Sequence, residues 1–273
     1  MSPPPKLRLR IRFTKAGKIR FVSHRDVARL FERAMRIVRL PVAYSEGFSP
    51  RPKLSFGLAL SVGHESDAEY LDVEVTEMPD VETMAAALSD ALPDGLSVES
   101  VVVLEQGAAS LQQVITSCTW RIEVLGAPTD SVAAAVAAAL DAPELLLERV
   151  RKGKTAVADV RPAILALRVA GPFGGTPTKE GTPATGVPAG DGGLQHGTEL
   201  EVELSNENTS LRPSELIEVL GRLAAGSDAT EPDGGLLEGR VRRTHQWIEV
   251  DGIRSEPVSR PDASTRHELR RAS

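Results

Sequence analysis

Leu7-Arg8-Leu9-Arg10-Ile11-Arg12-Phe13 alternates apolar and cationic positions without a break. That is the period of a β-strand, with Leu7, Leu9, Ile11 and Phe13 on its inner face. Lys15-Ala16-Gly17-Lys18 reads as a turn, after which Ile19-Arg20-Phe21 extends or pairs with the strand. The period then becomes helical. Ser23 is an N-cap with Asp26 three positions on, and the helix it opens runs to about Val38. Val27, Leu30, Phe31, Ala34, Met35 and Val38 form its apolar side. A loop punctuated by Gly47, Pro50 and Pro52 leads to strands at 54–60 and 70–75. Asp80 caps a second helix to about Leu92, Pro93-Asp94-Gly95 turns the chain, and a strand follows at 98–104. The order βαββαβ predicts an α+β, ferredoxin-like unit with two helices on one sheet face and the other face open.

A second, degenerate cycle follows. Strand 118–125 points Trp120, Ile122 and Val124 inward, and 131–140 is an Ala-rich helix. Segments 145–150 and 155–160 bracket Arg151-Lys152-Gly153-Lys154, a basic hairpin tip. Strands at 164–169 and 200–204, a helix at 213–220 and a strand near 240–250 complete a second ferredoxin-like half. Between them, 171–197 holds 9 Gly and 4 Pro in 27 residues, a composition that precludes a packed core, and is expected to be a disordered insert. The expected domains are therefore 1–106 and 114–253, with a disordered tail over 254–273.

Composition narrows the chemistry. Aromatics are only 4%, so few side chains could serve as stacking platforms. A single cysteine, Cys118, excludes an internal disulfide and any site built from several thiolates. Nothing resembles a signal peptide and no apolar run is long enough to span a bilayer, so a cytoplasmic protein without membrane partners is expected. The net charge of −6 hides a sharp partition. Residues 1–60 carry 14 Lys/Arg against Asp26, Glu32 and Glu46, a net of +11; residues 61–105 carry 12 Asp/Glu and no Lys or Arg. Asymmetry of this size points to an anionic partner more than the total does.

Three places concentrate candidate chemistry. Arg8, Arg10 and Arg12 share the outer face of the first strand, where they either meet phosphate or pair across the sheet with Asp72 and Glu74 on the third. Arg25, Arg29, Arg33 and Arg36 recur at spacings of four, four and three, one nearly single-sign stripe opposite the apolar side of the helix. A mixed solvated face is the ordinary alternative for a charge run, but such faces normally alternate sign. The loop Tyr44-Ser45-Glu46-Gly47-Phe48-Ser49-Pro50-Arg51-Pro52-Lys53 gathers two aromatics, hydroxyls and two cations; Tyr44, Ser45, Phe48, Arg51 and Lys53 are its candidate contacts. Alternatively, its aromatics close the end of the core. Arg151, Lys152 and Lys154 would assist from the second half. His24, just inside the helix start, is the one candidate acid–base group, set against a purely structural role because no partner carboxylate or nucleophile is specified. The remaining histidines lack ligand spacing, and no nucleotide, nucleophile-elbow or metal motif is present, so no cofactor and no metal are expected.

The segments Phe21-Val22-Ser23-His24-Arg25-Asp26, Pro41 to Phe56 and Glu69-Tyr70-Leu71-Asp72 resemble the radical-SAM-linked domain family of unknown function, in its stand-alone form. There they read approximately S-H-L-D, Y-S-x-G-F-x-P-H-P and E-Y-x-D. Arg25 and Arg51 depart from that pattern, each standing where the family has another residue, Arg51 in place of a histidine. The resemblance implies a radical SAM protein as partner and, from the company its members keep with ribonuclease and ribosomal genes, a lean toward RNA. It names a class and no reaction. A looser, fold-level similarity links the chain to CRISPR repeat-processing endoribonucleases. The leading expectation is a non-catalytic, RNA-directed accessory protein working with a radical SAM enzyme. The alternatives are a metal-independent endoribonuclease using His24 with Tyr44 or Lys53, and a protein-interaction module docking an acidic partner.

Overall fold

The computed structural model describes residues 7–151, 153–174, 196–207, 209–225, 235–250 and 252–258. The chain is a mixed α+β protein of mostly antiparallel strands. It divides into two compact units, one of residues 1–115 with 246–273 and one of residues 116–245.

In the first unit the alternating segment forms β1 (Leu7–Lys15), followed by α1 (His24–Ile37), β2 (Leu54–Phe56), β3 (Glu65–Val75), α2 (Val81–Ala91), β4 (Leu96–Leu104) and a single turn of helix, α3 (Leu111–Val114). The sheet order is β4-β1-β3-β2, every neighbour antiparallel. Residues 17–21 wind into a 3-10 turn rather than extending the strand. The physical reason is the Lys15 ammonium, which is buried and satisfies itself on the carbonyls of Arg20 (3.2 Å) and Val22 (2.9 Å), pulling the chain back over itself. Leu9, Ile11 and Phe13 pack with Val27, Phe31, Ala34 and Met35 of α1 and with Met84 and Leu88 of α2. Phe13, Phe31 and Phe56 form an aromatic knot with centroids 4.7–6.3 Å apart. Each such buried side chain contributes roughly 1.5–3 kcal/mol of transfer free energy.

The opposite sheet face is not open at its centre, contrary to the sequence expectation. Register places Arg8 opposite Glu74, Arg10 opposite Asp72 and Arg12 opposite Tyr70. Arg10 is buried and binds Asp72 through two parallel hydrogen bonds, Nε to Oδ1 at 2.7 Å and Nη2 to Oδ2 at 2.9 Å. Arg8 donates to the Ala108 carbonyl, and Arg10 also reaches that of Ala109 at 3.3 Å. Arg12 is fully buried. Its Nε meets Glu99 at 3.0 Å, its Nη1 meets Glu256 at 2.8 Å, the Tyr70 hydroxyl at 2.6 Å and the Val258 carbonyl at 3.1 Å, and its Nη2 meets the Asp67 carbonyl at 3.2 Å. Burial alone would lower the Arg12 pKa; Tyr70, Glu256 and Glu99 outweigh it and raise it. A buried guanidinium needs several acceptors at once, and the segments 108–109 and 256–258 supply carbonyls that solvent would otherwise replace.

The second unit contains β5 (Ile115–Leu125, assigned to this unit from Thr116), α4 (Thr129–Asp141), the hairpin β6 (Leu146–Arg151) and β7 (Lys154–Asp159), then β8 (Ile164–Gly174), β9 (His196–Ser205), α5 (Pro213–Ala225) and β10 (Leu237–Val250, assigned to this unit as far as His245). Its strand order is β10-β5-β9-β8, the same last-first-third-second arrangement as in the first unit, with β6–β7 as a separate ribbon. Trp120, Ile122 and Val124 are buried, as are Val132 and Val136 of α4 and Leu216 and Leu220 of α5. The ribbon is tied down by Arg149, whose Nε and Nη2 donate to the two carboxylate oxygens of Glu215 at 2.9 and 2.8 Å. Most of the Gly/Pro segment 171–197, residues 175–195, lies outside the described residues; β8 runs to Gly174 and β9 opens at His196. The expected tail over 254–273 is described as far as residue 258, where β11 (Ile253–Ser255) pairs with the end of β10 and Val258 is buried. No described helix is long and apolar enough to cross a membrane.

Candidate functional site

The arginines of α1 have a fate opposite to those of β1. Ser23 caps the helix, its hydroxyl accepting the Asp26 N–H at 3.2 Å and lying 2.7 Å from the Asp26 carboxylate. That hydroxyl, followed by Arg29 and Arg25, holds the Asp26 carboxyl below its usual value. Arg29 is ion-paired with Asp26 at 2.9 Å across an exposed i,i+3 step. Arg25, Arg33 and Arg36 are exposed, and among the described residues Arg33 and Arg36 carry no ion pair. Four of the twelve acids of 61–105 are engaged elsewhere: Asp72 on Arg10, Glu99 on Arg12, Glu65 on Arg20 and Glu74 on Lys53.

The helix ends in an unusual way. The Leu40 N–H donates to the Met35 carbonyl (2.9 Å) and the Arg39 N–H to that of Arg36 (3.2 Å), the paired bonds of a Schellman stop. Its left-handed residue, usually glycine, is here Arg39, with φ 56°. A side chain in that region costs roughly 1–2 kcal/mol, yet Arg39 is exposed and has no ion pair among the described residues to offset it. Arg39 extends the row by one more step of three. Sequence reasoning stopped at Arg36 because the apolar side ends at Val38; the spacing itself carried the signal.

From Leu40 the chain reaches the end of β3, where Val42 bridges Val75 and the Ala43 N–H donates to the Glu74 carbonyl at 2.8 Å. The loop that follows is rooted on both sides. Tyr44 bridges Pro52, the Ser45 N–H donates to the Arg51 carbonyl (2.9 Å), the Arg51 N–H donates to the Ser45 hydroxyl (3.0 Å), and the Lys53 N–H donates to the Ala43 carbonyl (2.9 Å). Residues 46–50 form its tip, turned at Gly47, whose φ of +119° a side chain would resist. The roles expected of these residues thus separate. The Ser45 hydroxyl stitches the stem and Lys53 pairs with Glu74 at 3.1 Å, while Arg51 and Tyr44 are exposed and Phe48 stands fully in solvent at 109% relative exposure. The alternative in which both aromatics close the core does not hold.

His24 is exposed at the first turn of α1 and sets its ring edge-on to Phe56, centroids 4.8 Å apart, a packing contact. Lys154 is exposed beside the turn of the β6–β7 ribbon, and Arg151 is its backbone partner there; Lys152 lies outside the described residues. These three belong to the second unit, whereas the row and the loop belong to the first.

Residues 8–213, from β1 to the opening of α5, match a single family. The chain belongs to the family described as "Uncharacterized protein conserved in bacteria (DUF2344)". That match spans the arginine row and the loop alike, and the family description names no reaction and no partner. No curated protein matches the chain.

Proposed function

We propose that this protein is a non-catalytic, RNA-directed accessory protein of the cytoplasm, built of two ferredoxin-like halves and working with a radical SAM enzyme. The observation that carries the RNA reading is the contrast between two sets of arginines. Those of β1 are buried against carboxylates, whereas Arg33 and Arg36 on α1 are exposed without an ion pair among the described residues. A protein of net charge −6 that leaves Arg33 and Arg36 exposed without an ion pair among the described residues keeps a cationic surface for polyanions. The strand order common to both units supports the duplicated ferredoxin-like architecture. The radical SAM partner rests on the resemblance of residues 21–26, 41–56 and 69–72 to the radical-SAM-linked family. His24, packed on Phe56, is assigned no catalytic step.

Filter binding to RNA across a salt series tests the reading. Four phosphate contacts from Arg25, Arg29, Arg33 and Arg36 give an expected slope of log affinity on log salt of about −2.8, or about a 50-fold loss between 50 and 200 mM. A flat titration would count against it. Co-purification of a radical SAM protein after nuclease treatment tests the protein contact separately.

A further inference from the structure

We infer that the row and the loop together hold an unpaired stretch of RNA, with phosphates along Arg25, Arg29, Arg33, Arg36 and Arg39 and a base stacked on Phe48. The inference rests on the RNA reading above and names the class of RNA.

Length, charge and exposure each support it. From Arg25 to Arg36 the helix rises about 17 Å, a cationic length that can follow several successive phosphates of one strand. Arg39 then carries positive charge past the helix end, at the position where glycine would relieve the backbone. The cap hydrogen bonds hold this left-handed turn, and the cation placed there, exposed and without an ion pair among the described residues, is available to a contact outside the chain. The path continues to the loop: Val42 and Ala43 are fixed on β3, and Tyr44 follows directly.

Phe48 decides between paired and unpaired RNA. A phenyl ring fully in solvent, on the tip of a loop whose stem is held by two backbone hydrogen bonds and one from the Arg51 N–H to the Ser45 hydroxyl, is displayed from a fixed base. It offers no hydrogen bond, so it has nothing to give the backbone of a duplex, whose base faces are already stacked. An unpaired base presents a free face, and stacking on an aromatic side chain tolerates any sequence. Tyr44, 49% exposed at the start of the same stem, is the second platform.

Fluorescence anisotropy with the full chain would compare a single-stranded RNA of about 12 nucleotides with the same strand in a duplex. The expected result is tighter binding of the single strand. Phe48→Ala should weaken that binding by about 5- to 150-fold and leave the duplex unchanged, with Phe48→Trp restoring it. Arg39→Gly should weaken RNA binding while raising the denaturation midpoint, a pairing that a merely structural role would not produce. Equal affinity for duplex, or a Phe48→Ala protein that binds the single strand as well as wild type, overturns the inference while leaving the RNA reading intact. Absence of binding to either RNA overturns the RNA reading itself. Loss of a co-purifying protein in Phe48→Ala, with single-strand affinity unchanged, reassigns the loop to protein docking and overturns the inference.

Discussion

Arg12→Ala is expected to lower the melting temperature of the first unit by about 10 °C, from a loss of about 3–5 kcal/mol. The guanidinium is fully buried and satisfies two carboxylates, a phenol hydroxyl and two backbone carbonyls. Removing it strands Glu99 and Glu256 near one another without their common cation, and leaves the Asp67 and Val258 carbonyls short of a donor. The damage therefore exceeds the value of any one bond. Hydrogen exchange should report where the loss falls. Residues 256–258 are held to the sheet through Glu256 and the Val258 carbonyl, so their protection should drop most. The half-exposed Arg8, truncated the same way, should shift the melt by far less, because water can replace its lost partner. Equal melting of wild type and Arg12→Ala would sink the account of this strand.

The second large effect is on binding. Arg33→Ala with Arg36→Ala removes two cations that make no ion pair among the described residues, so the fold should melt as wild type does. RNA affinity should fall about 25-fold at 0.1 M salt, and the salt slope should shrink by about 1.4. The coupled change matters more than the loss alone. A variant that weakened binding without flattening the slope would have perturbed something other than a phosphate contact. Unchanged affinity would remove the row from the interface.

The two arginine sets show how far the chain could be read before its structure was known. Both were visible as periodic patterns. The helical set kept its exposed face because an α-helix determines which side chains share a face from local spacing alone, and Ser23 with Asp26 marked where that helix begins. The strand set did not, because a strand face only says which way a side chain points. Whether Arg10 meets water or Asp72 depends on a register set across 62 residues, and Arg12 on a carbonyl 246 residues away. The loop lay between. Its residues were evident as a cluster, but separating Ser45 and Lys53, which hold the stem, from Phe48, which is displayed, required knowing what each hydrogen-bonds.

The order of the main strands and helices, the apolar faces of β1 and α1, and the cationic row were thus determined by the sequence itself, because each follows from a period of two or of about 3.6 along a few neighbouring residues. The tertiary structure decided which charges survive at the surface. It brought Asp72, Glu99, the Glu256 carboxylate and the carbonyls of Ala108, Ala109 and Val258 onto the β1 arginines, and left Arg33, Arg36 and Arg39 without such partners among the described residues. The reason is that a buried guanidinium must find acceptors wherever the chain can supply them, whereas an exposed one has water and so remains free for a ligand.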